Sequence, residues 1–326
     1  MANSRIMVTG GAGFVGSFIV DRLLEQGAGE IIILDNFVRG SKDNITQALQ
    51  SNKVKLVEGD IRDAELLNRL MGGVDYCFHM AALRITHCAA NPREAVEVMC
   101  NGTFNVIDCC LANHVKKLIA ASSASVYGQA DIFPTREDHH PYSNRTLYGA
   151  LKLANELMLR SFNDMSGLNY NAFRYFNIYG PRMDVHGKYT EVLIRWYHAI
   201  KEGKRPLIYG DGKQTMDFVY VEDVARASIL GLTADVSDQV FNIGSGTETS
   251  LEELCLLLLE VMRVDLVPEY IPVPETRKKV EVRKRIAHIS KAKELLKFEA
   301  AVELTAGLHK LVEWLDLLTA KTVEKT

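Results

Sequence analysis

The feature that most constrains this chain is a glycine cluster set between a short apolar run and an amphipathic one. Arg5 to Thr9 reads as a strand, Thr9-Gly10-Gly11-Ala12-Gly13-Phe14-Val15-Gly16 follows directly, and a helical pattern runs from Gly13 to Glu25. Gly10 permits a tight turn. Gly13 lets backbone N–H groups approach a pyrophosphate at the helix N-terminus, where the helix dipole favours negative charge. Gly16 lets the helix pack close to the sheet. Gly10, Gly13, Phe14 and Val15 are therefore expected to touch a dinucleotide.

The acidic partner of such a loop is present. Ile31 to Asp35 is a second strand, and Asp35 stands 19 residues after Gly16. A carboxylate there accepts hydrogen bonds from the adenosine ribose hydroxyls and repels a 2′-phosphate, so the pattern favours NAD over NADP, even with Arg39 close by. Asn36 joins Asp35 as an expected contact. Asp60 and Ile61 follow the third strand (Lys53 to Glu58), where Asp60 has two open roles: capping the adenine edge or capping a helix.

Short apolar runs then keep alternating with helical patterns: a helix over 64–71, a strand over 75–79, a helix over 93–113 and a strand over 117–121. This alternation predicts an α/β fold, a Rossmann-type doubly wound parallel sheet. After about Ala172 the pattern changes. Residues 177–186 are rich in Gly and Pro and read as loop, and 206–224 read as strand and loop. Helices are expected over 251–262 and 303–317, with a short strand over 266–271 between them. The expected division is an NAD-binding domain of residues 1–175, also receiving strands from 206–242, and a smaller α/β C-terminal substrate lobe of residues 176–326.

Composition excludes several classes. A net charge of −3 leaves no broad basic field for nucleic acid. The six cysteines form no CxxC pair, which fits reduced thiols and a cytoplasmic location. The N-terminus carries no signal-peptide pattern, and no apolar stretch reaches the ~20 residues of a membrane helix. His139-His140 has no third ligand nearby in sequence, so no metal site is expected.

Tyr148-Gly-Ala-Leu-Lys152 opens a helix running to about Phe162, and its i, i+4 spacing puts both side chains on one face. A free phenol, with a pKa of ~10, is a poor base unless positive charge favours the phenolate. Lys152 and an oxidised nicotinamide would supply that charge. Ala121-Ser122-Ser123-Ala124-Ser125-Val126-Tyr127-Gly128 follows a strand at the sheet edge where α/β folds bind ligands. A serine hydroxyl there can bond the oxygen that Tyr148 deprotonates.

The glycine loop, Asp35, His79-Met-Ala-Ala82, the serine-rich run and the Tyr148/Lys152 pair come in an order that resembles the extended short-chain dehydrogenase/reductase superfamily. Arg174-Tyr-Phe-Asn177-Ile-Tyr-Gly-Pro-Arg182 and Gly210-Asp-Gly-Lys-Gln-Thr-Met-Asp217-Phe-Val-Tyr-Val-Glu-Asp223 look like its nucleotide-sugar epimerase/dehydratase branch, over residues 5–315. The resemblance implies Tyr148 as base, Lys152 as the group that tunes it, and Ser123, four residues before Tyr127, as hydroxyl partner. It also implies Ala81 and Ala82 as cofactor contacts and Asn177 as a nucleotide-sugar contact, although Asn177 would equally satisfy loop backbone. Arg84, His87 and Cys88 are open to lining the sugar pocket or to loop structure.

Dehydratases of this branch carry Asp-Glu after the catalytic hydroxyl residue, and related decarboxylases a glutamate at the second position. Here stand Ala124 and Ser125, as in the 4-epimerases. The resemblance thus implies an NAD-dependent 4-epimerase of a UDP-linked hexose, hexosamine or hexuronic acid. The alternatives are a dehydratase or 4-keto-reductase and a non-catalytic NAD-binding regulator. Three positions depart from the pattern: Met99 for an asparagine, Met216 for a phosphate-binding arginine, and His288 for an aspartate. The basic run Arg277-Lys278-Lys279 with Arg283-Lys284-Arg285 is open to replacing the phosphate contact, through Arg285, or to being a solvated face. The helices near 93–113 and 148–162 carry apolar residues on several faces, and the resemblance implies that they pair in a homodimer through a four-helix interface.

Overall fold

The computed structural model describes residues 1–185, 191–274 and 282–323. Its elements run β1 (Arg5–Thr9), α1 (Phe14–Glu25), β2 (Glu30–Asp35), β3 (Val54–Glu58), α2 (Ala64–Met71), β4 (Tyr76–His79), α3 (Ile85–Ala90), α4 (Pro92–Val96), α5 (Gly102–Ala112), β5 (Lys117–Ser123), α6 (Leu147–Ser166) and β6 (Tyr170–Tyr175). Then come β7 (Asn177–Tyr179), α7 (Val192–Lys201), β8 (Leu207–Tyr209), β9 (Thr215–Met216), β10 (Phe218–Tyr220), α8 (Val221–Thr233), β11 (Gln239–Ile243), β12 (Thr249–Ser250) and α9 (Leu251–Met262). The described chain closes with β13 (Glu269–Ile271), β14 (Lys284–Arg285), α10 (Ser290–Leu296) and α11 (Leu304–Val323).

Seven strands form one parallel sheet in the order β3-β2-β1-β4-β5-β6-β11. Its central strands are buried on both faces, which is why Ile6-Met7-Val8 and Ile31-Ile32-Ile33 read as unbroken apolar runs. One face packs on α1 and α8 through Ile19, Leu23, Val224 and Ala227; the other packs on α2, α5 and α6 through Leu67, Val106 and Leu159. This is the expected Rossmann-type α/β fold. A third apolar cluster, including Trp196, Leu258 and Leu311, forms a smaller lobe from α7, α9 and α11.

Several expectations are corrected. Residues 177–179 are a strand, β7, held by parallel pairing with β10, although 180–185 are irregular. The 206–224 stretch contains three short strands and the start of α8. The helix expected over 93–113 is continuous but changes winding: Glu97–Asn101 form a π-turn between α4 and α5. That stretch also corrects the membrane reading, because Pro92–Ala112 is long and apolar enough to span by length and composition. Half of its apolar window is buried inside the protein, and α5 packs on α2, α6 and β4, so core packing accounts for its apolarity.

Candidate active site

A cavity of about 1180 Å³ opens over the C-terminal ends of the parallel strands, between sheet and lobe. It exceeds the ~300–1,000 Å³ of ordinary small-ligand pockets. At one end the glycine loop forms its floor. Gly10 has φ +69°, and a Cβ there would lie 2.7 Å from the Ala81 nitrogen. Helix α1 starts at Phe14; Gly13 at the cap position offers no side chain, and the first turn holds no acidic residue. Its leading N–H groups are thus free for an anion, and this cradle fits a dinucleotide pyrophosphate. Gly10, Gly13, Phe14, Val15, Asp35, Asn36, Ile61, Ala81 and Ala82 all line the cavity.

Asp35 also braces this end. One carboxylate oxygen accepts from the Ala12 N–H at 3.0 Å and the other from the Phe37 N–H at 2.9 Å. Burial raises its pKa, and these two backbone donors oppose the rise. Asp60 does not line the cavity. It accepts from Asn36 Nδ2 at 2.9 Å and from Arg62 Nε at 3.0 Å, and the Arg62 hydrogen bonds hold its carboxyl down at about 2. Asp63, not Asp60, caps α2.

At the other end β5 delivers Ser123 and α6 delivers Tyr148 and Lys152, all three lining the cavity. Thr146 caps α6 by accepting from the Gly149 N–H, which fixes the turn carrying Tyr148. Tyr148 and Ser123 are hydrogen-bonded. Burial raises the phenol pKa, and the Ser123 bond and the charges of Arg39 and Arg285 oppose the rise. Lys152 Nζ donates to the Ala121 carbonyl at 2.6 Å and lies 6.0 Å from the Tyr148 ring centre. Burial lowers the ammonium pKa to about 8, against the pull of Glu156. The cations whose charge acts on the free phenol are therefore Arg39 and Arg285, while the expected Lys152 stands 6.0 Å from the ring centre.

Behind this trio lies a buried frame. Glu156, one turn beyond Lys152, takes a two-point ion pair from Arg174 (2.6 and 2.9 Å) and a hydrogen bond from Ser122. His79 bridges Thr9 at 2.8 Å and Thr103 at 3.0 Å, tying the glycine loop's strand to α5. Burial drives its pKa down to about 3, so it bridges as the neutral ring. Met99, in the π-turn, packs its sulfur 3.6 Å from Cys88 Sγ while its carbonyl accepts from Thr103.

The remaining expected residues are scattered. Asn177 stays outside the large cavity, its Nδ2 donating to the Asp217 carbonyl at 3.0 Å, while Phe176 and Ile178 line it. Arg84 pairs with Asp184 at 2.8 Å. Cys88 is buried, and His87 pairs with Glu94 at 2.8 Å. Arg277 to Lys279 lie outside the described residues. Arg285 sits on β14, against a second, small cavity. His139 and His140 do have a third group beside them: Asp131 approaches His139 Nε2 at 2.7 Å, and the three ligand atoms lie within 4.8 Å of one another. The sequence did not reveal Arg182, Asp184 or Trp314 as cavity walls. The Gly180-Pro181 turn beside Arg182 was the available signal; Trp314 on α11 gave none.

Fold and site together define a dinucleotide-dependent enzyme of the short-chain dehydrogenase/reductase type. The NAD dependent epimerase/dehydratase family model matches residues 6–244, and the chain belongs to that family. It is 33% identical to a putative UDP-glucose 4-epimerase of Methanocaldococcus jannaschii over 95% of this chain and 98% of that one. It is 31% identical to a UDP-N-acetyl-alpha-D-glucosaminuronate decarboxylase of Bacillus cytotoxicus, over 95% and 97%. The structure of a UDP-N-acetylglucosamine 4-epimerase from Methanobrevibacter ruminantium, in complex with UDP-N-acetylmuramic acid, superposes with a TM-score of 0.91 at 31% identity, covering 98% and 100%.

Proposed function

We propose that this NAD-dependent enzyme is a nucleotide-sugar 4-epimerase, with a UDP-sugar as substrate. One observation carries the choice of reaction. The two residues after Ser123 are Ala124 and Ser125, both buried, so no carboxyl group stands there to remove a proton or protonate a leaving water. The chemistry NAD supplies when bound is reversible hydride acceptance. Tyr148 takes the proton of the sugar 4-hydroxyl and later returns it to the 4-keto oxygen. Ser123 holds that oxygen in line. Lys152, anchored to the Ala121 carbonyl, keeps positive charge beside the phenolate that forms. Gly10, Gly13, Phe14, Val15, Asp35, Asn36, Ala81 and Ala82 would hold the cofactor. Ile61 and the Asn36-bonded Asp60 would bound its adenine end, and Asn177 and Arg84 would bound the nucleotide sugar. The NAD-binding unit is residues 1–175 with returning strand β11, and residues 176–326 mainly hold the sugar nucleotide.

The test is to offer UDP-, dTDP-, GDP- and CDP-sugars and follow products by NMR. Inversion at C4 with no loss of water or carbon dioxide is the expected result. A 4-keto-6-deoxy product would replace the epimerase reading with a dehydratase one.

The same reading makes the enzyme a cytoplasmic homodimer. All six cysteines are free thiols. Val96, Phe104, Leu157 and Met165, on the helical stretches expected to pair, are exposed. Light scattering should return twice the chain mass, and a monomer would end the four-helix proposal.

A further inference from the structure

The connection between β5 and α6 carries a group of side chains that the proposed reaction does not use. Asp131, His139 and His140 come from two arms of one loop, and their ligand atoms lie within 4.8 Å of one another. Asp131 Oδ1 is 2.7 Å from His139 Nε2, and Asp131 Oδ2 is 3.8 Å from His140 Nε2. The group lines neither of the two cavities described above.

The protons decide what this arrangement can hold. His139 Nδ1 lies 2.7 Å from the His140 carbonyl oxygen. A carbonyl only accepts, so Nδ1 carries a proton, and in the neutral ring Nε2 presents its lone pair. That lone pair meets the Asp131 carboxylate at 2.7 Å, while the Asp131 N–H donates to it only at 3.4 Å. Two electron-rich atoms this close need a cation between them, either a second proton or a metal ion. A backbone carbonyl on the far nitrogen is also the usual partner of a metal-bound imidazole, because it fixes the tautomer and the ring direction.

The surroundings are firm on one side and free on the other. The His139 side chain is 3% exposed and stands edge-on to Tyr127, whose hydroxyl donates to Asn242 at 2.6 Å. Asp131 and His140 are exposed and can adjust. Ligand atoms ~2.0–2.1 Å from a tetrahedral ion stand roughly 3.3 Å apart, so the Asp131 carboxylate has only to back away slightly. Two imidazoles and one carboxylate suit a late divalent ion, whereas Mg²⁺ and Ca²⁺ take oxygen ligands.

We propose that Asp131, His139 and His140 form a binding site for Zn²⁺ or a chemically similar late first-row divalent ion, with water in the fourth position. The ion acts as a clip on the loop. Asp131 precedes Thr135 and the histidines follow it; the Thr135 N–H donates to the Ile286 carbonyl at 2.8 Å, and its carbonyl accepts from the His288 N–H at 3.0 Å. Further along the same loop, Thr146 caps the helix that carries Tyr148. Occupancy thus fastens the segment against which 286–288 return and from which α6 begins.

The experiment uses the full chain, stripped with a chelator and titrated with Zn²⁺ by calorimetry, beside Asp131→Asn, His139→Gln and His140→Gln. The wild type should bind a single ion, and each variant should bind it at least about tenfold more weakly. Saturating Zn²⁺ should raise the wild-type melting temperature by about 3 °C and that of the variants by less than about 1 °C. Mg²⁺ should leave it unchanged. Co²⁺ in the same site should absorb in the visible without a thiolate charge-transfer band. Absence of binding, binding that survives His140→Gln undiminished, an equal shift with Mg²⁺, or thiolate charge transfer from a cysteine site each overturns the inference. If His139→Gln does not fold, the changes at exposed Asp131 and His140 still decide. No readout depends on turnover, so a failed epimerase assay leaves the site standing, and a missing metal leaves the epimerase reading untouched.

Discussion

The two ends of the cleft are made differently. The dinucleotide end is built from backbone: a glycine turn against Ala81, the uncapped start of α1, and a carboxylate that holds the Ala12 N–H of the loop with one oxygen and the Phe37 N–H after β2 with the other. The reacting end is built from side chains that arrive from separate segments: Ser123 on β5, and Tyr148 and Lys152 on α6. A backbone site tolerates side-chain drift but not a lost glycine. A side-chain site can change its ligand by single replacements while the fold persists. The first end is therefore suited to a ligand shared by a whole family, and the second to one that varies.

The sharpest test falls where the two ends meet. Tyr148→Phe should cost at least about 10³-fold in turnover, the upper part of the range for a lost general base, while calorimetry still shows NAD bound. Near-normal turnover would end the mechanism. Next in size, Gly10→Ala should weaken NAD binding by about tenfold or more and lower the melting temperature. The added methyl meets the Ala81 backbone, and φ +69° is unfavourable for alanine. Unchanged NAD affinity would show that the cradle is not what holds the cofactor. The smallest effect is in pH. Lys152 is ammonium below about 8 and neutral above it, against an ordinary value of 10.5. Turnover should therefore fall as pH climbs through about 8. Between about 8 and 10.5 the unfolded chain binds more protons than the native one, so the lysine's contribution to stability improves as pH rises through that window. Rate and melting temperature should thus diverge, and a rate flat to pH 10 would refute the lysine's role.

The same contrast explains what the sequence could show. β1 and α2 match the expected spans, and β2, β3 and β4 match to a residue: β1 and β2 are central strands that leave continuous apolar runs, while β3 at the sheet edge alternates Val54, Leu56 and Val57 with charged residues. Glycines and Asp35 were legible because their spacing alone sets the loop. β9, β12 and β14 are two residues each and exist only through partners far away in the chain, so no local pattern could announce them. Arg285 could be picked out of its basic run as a candidate contact, but only its pairing opposite Met216 gave it a place in the fold. Asn177 shows the converse: its motif was clear, but its amide donates to the Asp217 carbonyl. Asp131 joined His139 and His140 only once the chain turned back between them.

Asp217 gives this layout a consequence. Its carboxylate accepts from the Ser245 N–H and hydroxyl, the Gly246 N–H and the Ala287 N–H. One buried anion thus clasps the returning strand of the lobe to the loop after β11, two residues beyond Arg285. The stretch around 282–289 is thereby riveted to Asp217 at Arg285 and Ala287. Segments swapped in from relatives should seat themselves wherever that aspartate is kept, without disturbing how the redox partner is gripped.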